Sequence, residues 1–243
     1  GLVNSPTRAA PGRILQDLGT YARIVGAIDE ESYKAASLIL KTIGKGAIVR
    51  VSDLRTAEMV KLSENVYRDV CLALSNDLGL HCEKTKVDYL EVQAAANTQP
   101  YCHLLRPGIV GGHVPKDPYL LLEEAENAGV KLSMVALARK VNDGLSEHAV
   151  QLARDALSRC RKPFRRAKIA LLGVSYSPNT KEHRGSAVGK LVKMLTDKGA
   201  IVRVFDPLYT HKELKDFGYP AERTLAKTIE GTDCIVIVVG HNR

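Results

Sequence analysis

Apolar and polar positions divide the chain into three stretches of different period. Over residues 1–50, short apolar runs at 1–4, 23–28 and 46–51 predict strands, and 30–42 predicts a helix before the last of them. Ser5-Pro6-Thr7-Arg8-Ala9-Ala10-Pro11-Gly12 reads as a turn-rich loop after the first strand. From Asp53 the period becomes helical. A long helix is predicted over 54–84, capped by Asp53 or Ser52, with Val60, Tyr67, Val70, Leu74 and Leu78 as its packed face. Glu58, Lys61, Asn65 and Arg68 follow at steps of three, four and three and share a polar stripe, which is either the wet side of the helix or part of a site. Further helices are predicted at 89–97, 119–128 and 133–158.

The last third alternates. Strands are predicted at 168–172, 201–205 and 234–239, with helices at 186–198, closing at Gly199, and at 224–230. Strand, helix, strand, helix, strand implies a doubly wound parallel sheet, which takes ligands at the carboxyl ends of its strands. Its first turn, Gly173-Val-Ser-Tyr-Ser-Pro-Asn179, lacks the G-x-G-x-x-G pattern and so disfavours a dinucleotide. Asp206 stands where an acidic residue meets a ribose hydroxyl or caps a turn. The amino-terminal block reads as incomplete, because its strands need a larger sheet and it carries no phosphate-binding turn. The expected class is α/β in three parts: 1–52, 53–160 and 161–243.

Between the helices at 89–97 and 119–128 lies Arg106-Pro-Gly-Ile-Val-Gly-Gly-His-Val-Pro-Lys-Asp-Pro-Tyr119. It is too rich in glycine for a helix and in proline for an inner strand. Gly108, Gly111 and Gly112 let backbone N–H groups approach a ligand, and Lys116 and Asp117 place ionisable groups beside them. A plain connector explains the prolines, but less well the order Gly-Gly-His-x-Pro-Lys-Asp.

Composition narrows the classes. With 243 residues, 45% of them apolar, the chain makes one large packed domain or two smaller ones, and two are expected. The apolar run 234–239 is far too short to cross a bilayer, and the opening Gly-Leu-Val-Asn-Ser-Pro has no leader pattern. Five cysteines without a C-x-x-C spacing argue against a disulfide framework or a zinc site, so a cytoplasmic setting is expected. The net charge of +8 admits an anionic partner. Arg159, Arg161, Lys162, Arg165, Arg166 and Lys168 read as a solvated linker around Pro163 rather than a nucleic-acid surface, since no aromatic RNA-binding motif accompanies them.

Several ordered blocks match a known family: Ser5-Pro-Thr-Arg-Ala-Ala-Pro-Gly12, Arg23-Ile-Val-Gly-Ala-Ile-Asp29, Ala57-Glu-Met-Val-Lys-Leu-Ser-Glu-Asn65 and Ala95-Ala-Asn-Thr98. The glycine loop, Leu172-Gly-Val-Ser-Tyr176 with Arg184 and Ser186, and Val204-Phe-Asp-Pro207 complete the set. The chain resembles the UDP-glucose/GDP-mannose dehydrogenase family nearly end to end, in particular its branch acting on UDP-N-acetylmannosamine. That resemblance implies the remnant of an NAD-binding Rossmann domain, a central helical dimerisation domain and a UDP-binding domain. It also implies oxidation of a sugar C6 alcohol to a carboxylate by two successive NAD molecules, through a thioester on a loop cysteine, in a homodimer or larger homo-oligomer. By the same resemblance Lys61 and Asn65 donate to the developing oxyanion, Asp117 holds a water or accepts its proton, and Gly108, Gly111, Gly112 and Tyr176 bind substrate. Arg184 and Thr7 fall at cofactor positions. The NAD pyrophosphate turn is expected upstream of Gly1.

Departures from the family matter equally. The loop lacks the cysteine, and His113 occupies its slot when the segment is aligned on Pro-Lys-Asp. An imidazole cannot form and release a thioester. Thr7 stands for a glutamate and Ser177 for a lysine, and Cys71, Cys82, Cys102, Cys160 and Cys234 lie elsewhere. Either the polypeptide lacks the nucleophile, leaving a non-catalytic nucleotide-sugar-binding module, or a chemically modified cysteine follows His113; intact mass separates the two. A 6-phosphogluconate-type dehydrogenase also carries Lys-x-x-x-Asn, but the Gly-Gly-His-x-Pro-Lys-Asp loop and the carboxy-terminal domain argue against it.

Overall fold

Two aspartates start the main helices of the amino-terminal half. Asp29 and Asp53 are extended, and each accepts the backbone N–H three residues on, from Ser32 and Thr56, at 2.7 Å. The computed structural model describes residues 1–9, 12–112 and 114–242. In chain order these form β1 (Val3–Asn4), α1 (Ile14–Thr20), β2 (Arg23–Ala27), α2 (Glu30–Ile43), β3 (Ile48–Arg50) and α3 (Leu54–Thr85). Next come α4 (Tyr89–Ala96), α5 (Asp117–Asn127), α6 (Ser133–Arg159), β4 (Lys168–Leu172) and α7 (Val188–Asp197). The chain continues through β5 (Ile201–Phe205), α8 (His211–Asp216), α9 (Leu225–Ile229) and β6 (Cys234–Ile237).

The first sheet has the order β1-β2-β3, with β1 antiparallel and β3 parallel to the buried central strand β2. Ile28, Leu38, Ile39, Ile43 and Val49 around it are exposed. The middle of the chain is helical, with α3 and α6 packed along each other and α4 and α5 against α3. Here the expected packed face of α3 is corrected. Tyr67 and Leu74 are 63% and 53% exposed, whereas Ala57, Asp69, Ala73, Ser75, Asn76 and Cys82 are buried. Small side chains let the helices approach closely, and the polar ones find partners across the seam.

The second sheet is wholly parallel, order β5-β4-β6, around the buried strand β4. Ile169, Leu171, Val174, Val188, Leu191, Leu195, Val204 and Leu214 make its core. After β4 the chain builds β5 on one side, then crosses to build β6 on the other, so the switch in direction lies between β4 and β6. α1 and α8 are additions to the expected elements. α8 opens with a capping box, Thr210 and Glu213 each bonding the other's backbone N–H.

Asp206 is buried at the end of β5. Its Oδ2 accepts the N–H groups of Val174 (2.6 Å) and Ser175 (3.2 Å), its Oδ1 accepts that of Leu208 (2.8 Å), and His241 Nε2 lies 3.1 Å from Oδ2. Because His241 Nδ1 accepts the Asn179 N–H at 2.9 Å, the proton sits on Nε2 and is donated to Asp206. Of the two roles open to it, Asp206 thus fixes the β4 turn to β5 and the end of the chain past β6. Asp206→Ala leaves buried donors unpaired and is expected to cost about 2–4 kcal/mol, read as a shift of the urea midpoint at constant slope. A loss below about 1 kcal/mol would contradict this role.

Candidate functional site

Asn65 and Asp117, 52 positions apart in sequence, meet directly: the Asn65 amide donates to Asp117 Oδ2. Lys61, half-buried, lies one turn earlier on the same face of α3. Asp117 is the first residue of α5, with Pro118 just inside the helix, where a missing N–H costs nothing and an anion is favoured by the unpaired amides. The loop after β1 covers the start of the polar stripe. Asn4 donates to Glu58 at 3.1 Å, and the Arg8 guanidinium pairs with Glu64 at 2.6 Å. Thr7, between them in the chain, is exposed.

The glycine loop is held at two points. Gly108 donates to Asn76 Oδ1 at 2.7 Å and accepts from Asn76 Nδ2 at 3.2 Å. Gly112 donates to the Gly185 carbonyl at 3.1 Å. A Cβ on Gly111 would lie 3.0 Å from Gly185 O and 3.2 Å from Tyr176 Cβ. Gly112, at φ +72°, would bring one within 3.2 Å of the Tyr176 ring. The room left by Gly111 and Gly112 is therefore filled by Tyr176 and Gly185, and Gly108 alone of the three has open space above its Cα. His113 lies outside the described residues.

Two clefts flank this contact. One, of about 240 Å³, is lined by Gly108, Ile109 and Gly111 from the loop, Ser175 and Tyr176 after β4, and 236–239 at the end of β6. It therefore sits at the switch point of the second sheet, where open α/β sheets take their ligands. The other, of about 370 Å³, is lined by Gly112, Lys116, Asp143, Ser146, Gly185 and Lys190. Burial, and then the nearby Glu182 carboxylate, push the Tyr176 hydroxyl above its ordinary range.

Arg184 precedes Gly185 and is largely exposed, its fork occupied by Glu182 through Nε (3.0 Å) and Nη2 (2.7 Å). The side-chain and backbone hydrogen bonds from Arg184 hold the Glu182 carboxyl down at about 2. The cysteines are all free and none lies in the loop: Cys82 is buried, Cys160 exposed, and Cys71, Cys102 and Cys234 are half-buried. No group of three His, Cys, Asp or Glu suited to a metal occurs among the described residues. The turn at Gly173 is closed by β6's extension, where a Cβ would fall 2.4 Å from Val239 O.

Sequence reasoning missed the buried polar residues behind the site. Asp69, one turn beyond Asn65, pairs with the Arg139 Nη1 and accepts from Asn142 at 2.8 Å. Burial pushes the Asp69 carboxyl up, opposed by the Arg139 charge and the Asn142 amide. The period of the apolar positions gave no signal for them, since it puts 69 and 76 on the side of the helix opposite the expected packed face.

Residues 55–144 match the central domain of the UDP-glucose/GDP-mannose dehydrogenase family, and residues 170–243 its UDP binding domain. The chain is 35% identical over 244 residues to UDP-N-acetyl-D-mannosamine dehydrogenase of Methanococcus maripaludis, covering 99% of this chain and 54% of that protein. It is 31% identical to NDP-N-acetyl-D-galactosaminuronic acid dehydrogenase of Ralstonia solanacearum, covering all of this chain and 56% of that one. The solved UDP-D-ManNAc dehydrogenase of Pyrococcus horikoshii superposes with a TM-score of 0.89 at 35% identity, over 99% of this chain and 55% of that chain. The chain thus spans about half the length of the relatives it matches. With both domain types matched in order and the fold shared, the chain belongs to the UDP-glucose/GDP-mannose dehydrogenase family.

Proposed function

We propose that this chain forms the substrate-side part of an NAD-dependent UDP-sugar 6-dehydrogenase, acting in the cytoplasm on UDP-N-acetylmannosamine. The bond between Asn65 and Asp117, with Lys61 one turn away, carries the reading. It brings two donors and a carboxylate together beside a loop that borders the switch-point cleft. The match to the UDP binding domain supports the nucleotide, and the relatives' names support the sugar. In this reading the chain is organised as 1–52, 53–160 and 161–243, and pairs as a homodimer through exposed apolar positions of the central helices such as Tyr67 and Leu74.

Each residue then has a chemical task. The Lys61 ammonium and an Asn65 N–H donate to the C6 oxygen as negative charge develops on it, where positioned donors lower a barrier most. Asp117 takes one hydrogen of the Asn65 amide and so keeps the amide's donor end toward the site. Its carboxylate also serves to hold a water or accept a proton. The apolar cleft at Ile109 and 236–239 takes the base, and Lys116 and Lys190 face the diphosphate. NAD, when bound, supplies the hydride acceptor. By resemblance Thr7 is assigned to it and Arg184 to it or to pyrophosphate charge, and the tasks of the described residues end at the C6 oxygen. Since the loop carries no thiol, a second reading has its own support: a nucleotide-sugar-binding module without the thioester relay.

Calorimetric titration decides between these readings and a nucleic-acid role. UDP-N-acetylmannosamine and UDP are expected to bind, and a short RNA is not. Lys61→Met and Asn65→Ala are expected to weaken the intact nucleotide sugar by about tenfold, or ~1.4 kcal/mol, while leaving UDP nearly unchanged. Failure to bind UDP would end the proposal. Binding without NADH formation from the sugar and NAD would select the non-catalytic module.

Arg184 provides an independent check. With Glu182 held near 2, the carboxylate stays ionised at any working pH and acidification does not free the guanidinium. Glu182→Gln is expected to release it and tighten UDP binding by about threefold or more, the size of a screened surface charge contact. Unchanged affinity would place Arg184 away from the diphosphate.

A further inference from the structure

A single hydrogen-bonded path runs through the α3–α6 seam from the glycine loop to α5. It begins with Asn76, whose amide takes both the N–H (2.7 Å) and the carbonyl (3.2 Å) of Gly108. The same Asn76 Nδ2 donates to Asn142 Oδ1 at 2.8 Å, and Asn142 Nδ2 donates to the Asp69 carbonyl at 2.9 Å and to Asp69 Oδ1 at 2.8 Å. Arg139 joins Asp69 through Nη1 and Asp143 through Nη2. Asp143 in turn accepts the Tyr119 hydroxyl at 2.7 Å, two residues past Asp117. Asp69, Asn76, Arg139 and Asn142 are all at most 3% exposed.

Such a path is a poor choice for stability alone. A buried ion pair loses solvation that its attraction seldom restores, and apolar side chains of the same volume would hold two helices at least as well. Directional bonds add fixed distance and orientation. Among the described residues of the segment they hold, from Cys102 to the start of α5, none is in a helix or strand, so side-chain bonds do much to define its course. Leu105 is tied in the same way, its N–H donating to Ser75 Oγ at 2.9 Å and its carbonyl accepting the Tyr89 hydroxyl at 2.9 Å.

We propose that Asn76, through Asn142 and the Asp69–Arg139 pair, is a positioning residue that sets the glycine loop at a fixed offset from Asn65 and Asp117. It touches no reacting atom. Its effect passes through Gly108 at one end, and Tyr119 carries the other end to the helix that begins with Asp117. The proposal rests on the reading of this region as a nucleotide-sugar site, since the ligand is what the fixed offset serves.

The test uses the whole chain, with amide hydrogen exchange by NMR and titration with UDP-N-acetylmannosamine. In Asn76→Ala the Gly108 amide should exchange about 100-fold faster or more, while the amide of Leu171, in the buried strand β4, reports global opening and changes far less. Affinity for the nucleotide sugar should fall about tenfold. Tyr119→Phe removes only a hydroxyl from a half-exposed ring. It should leave the melting temperature within a degree or so, yet weaken the nucleotide sugar about threefold. If the Gly108 and Leu171 amides accelerate together, or affinity is unchanged in both variants, the positioning role is refuted. Should Asn76→Ala fail to fold, unchanged affinity in Tyr119→Phe refutes it alone. Should the unaltered chain not bind the nucleotide sugar, the functional reading fails, and the exchange measurement still decides whether Asn76 holds the loop.

Discussion

The close approach of α3 to α6 is the constraint on which the rest of the arrangement depends. Ala73 on one helix and Ala138 on the other, both buried beside the polar pairs, remove bulk that would hold the helices apart. Into the seam go an aspartate, an arginine and two asparagines, whose hydrogen bonds are nearly all made to each other or to backbone. Moving α6 along α3 would break several of these at once, each with a desolvated group left behind. One register is therefore strongly preferred. Because Lys61 and Asn65 sit on the same helix two turns and one turn before Asp69, that register also places them.

The second sheet supplies what the helices lack, a crevice. Its strand order forces β4 and β6 to send their following loops apart, and the gap between them opens at Ser175, Tyr176 and residues 236–239. Asp206 closes the far side by binding the β4 turn and His241. The open side is left to the glycine loop. Tyr176 meets Gly111 and Gly112 at the contact limit, so a side chain at either would push the sheet and the helices apart.

What the sequence disclosed follows from where the information lies. β4 and β5 were legible residue for residue, since Gly173 and the pair Asp206-Pro207 end their apolar runs abruptly. The long helix was legible from Asp53 onward because a cap and a sustained period are local signals. α8 has only six residues and too few apolar positions for a period, although Thr210 and Glu213 spell out its capping box. The packed face of α3 was misread for a deeper reason. Hydropathy assigns Tyr67 and Leu74 to a core and Asp69 and Asn76 to water, yet the partners that make burial of Asp69 and Asn76 tolerable lie 66 to 73 positions away. The same holds at the site. The stripe of Lys61 and Asn65 is visible in spacing, but its meeting with Asp117 is not, and there resemblance rather than periodicity supplied the residue.

These features bear on how a loop whose described residues form no helix or strand would serve as the binding surface proposed above. A free loop of this length would have to be ordered by its ligand, at a cost that would consume much of the affinity. Here Gly108 is fixed to α3, Gly112 to Gly185, and Asp117 to Asn65, so the backbone is anchored about every four residues before any ligand arrives. Each anchor joins a different part of the fold. Glycine at 112 is required by a left-handed backbone and a neighbouring ring, and so serves the packing of the loop against Tyr176. A loop tied in this way loses little entropy on binding.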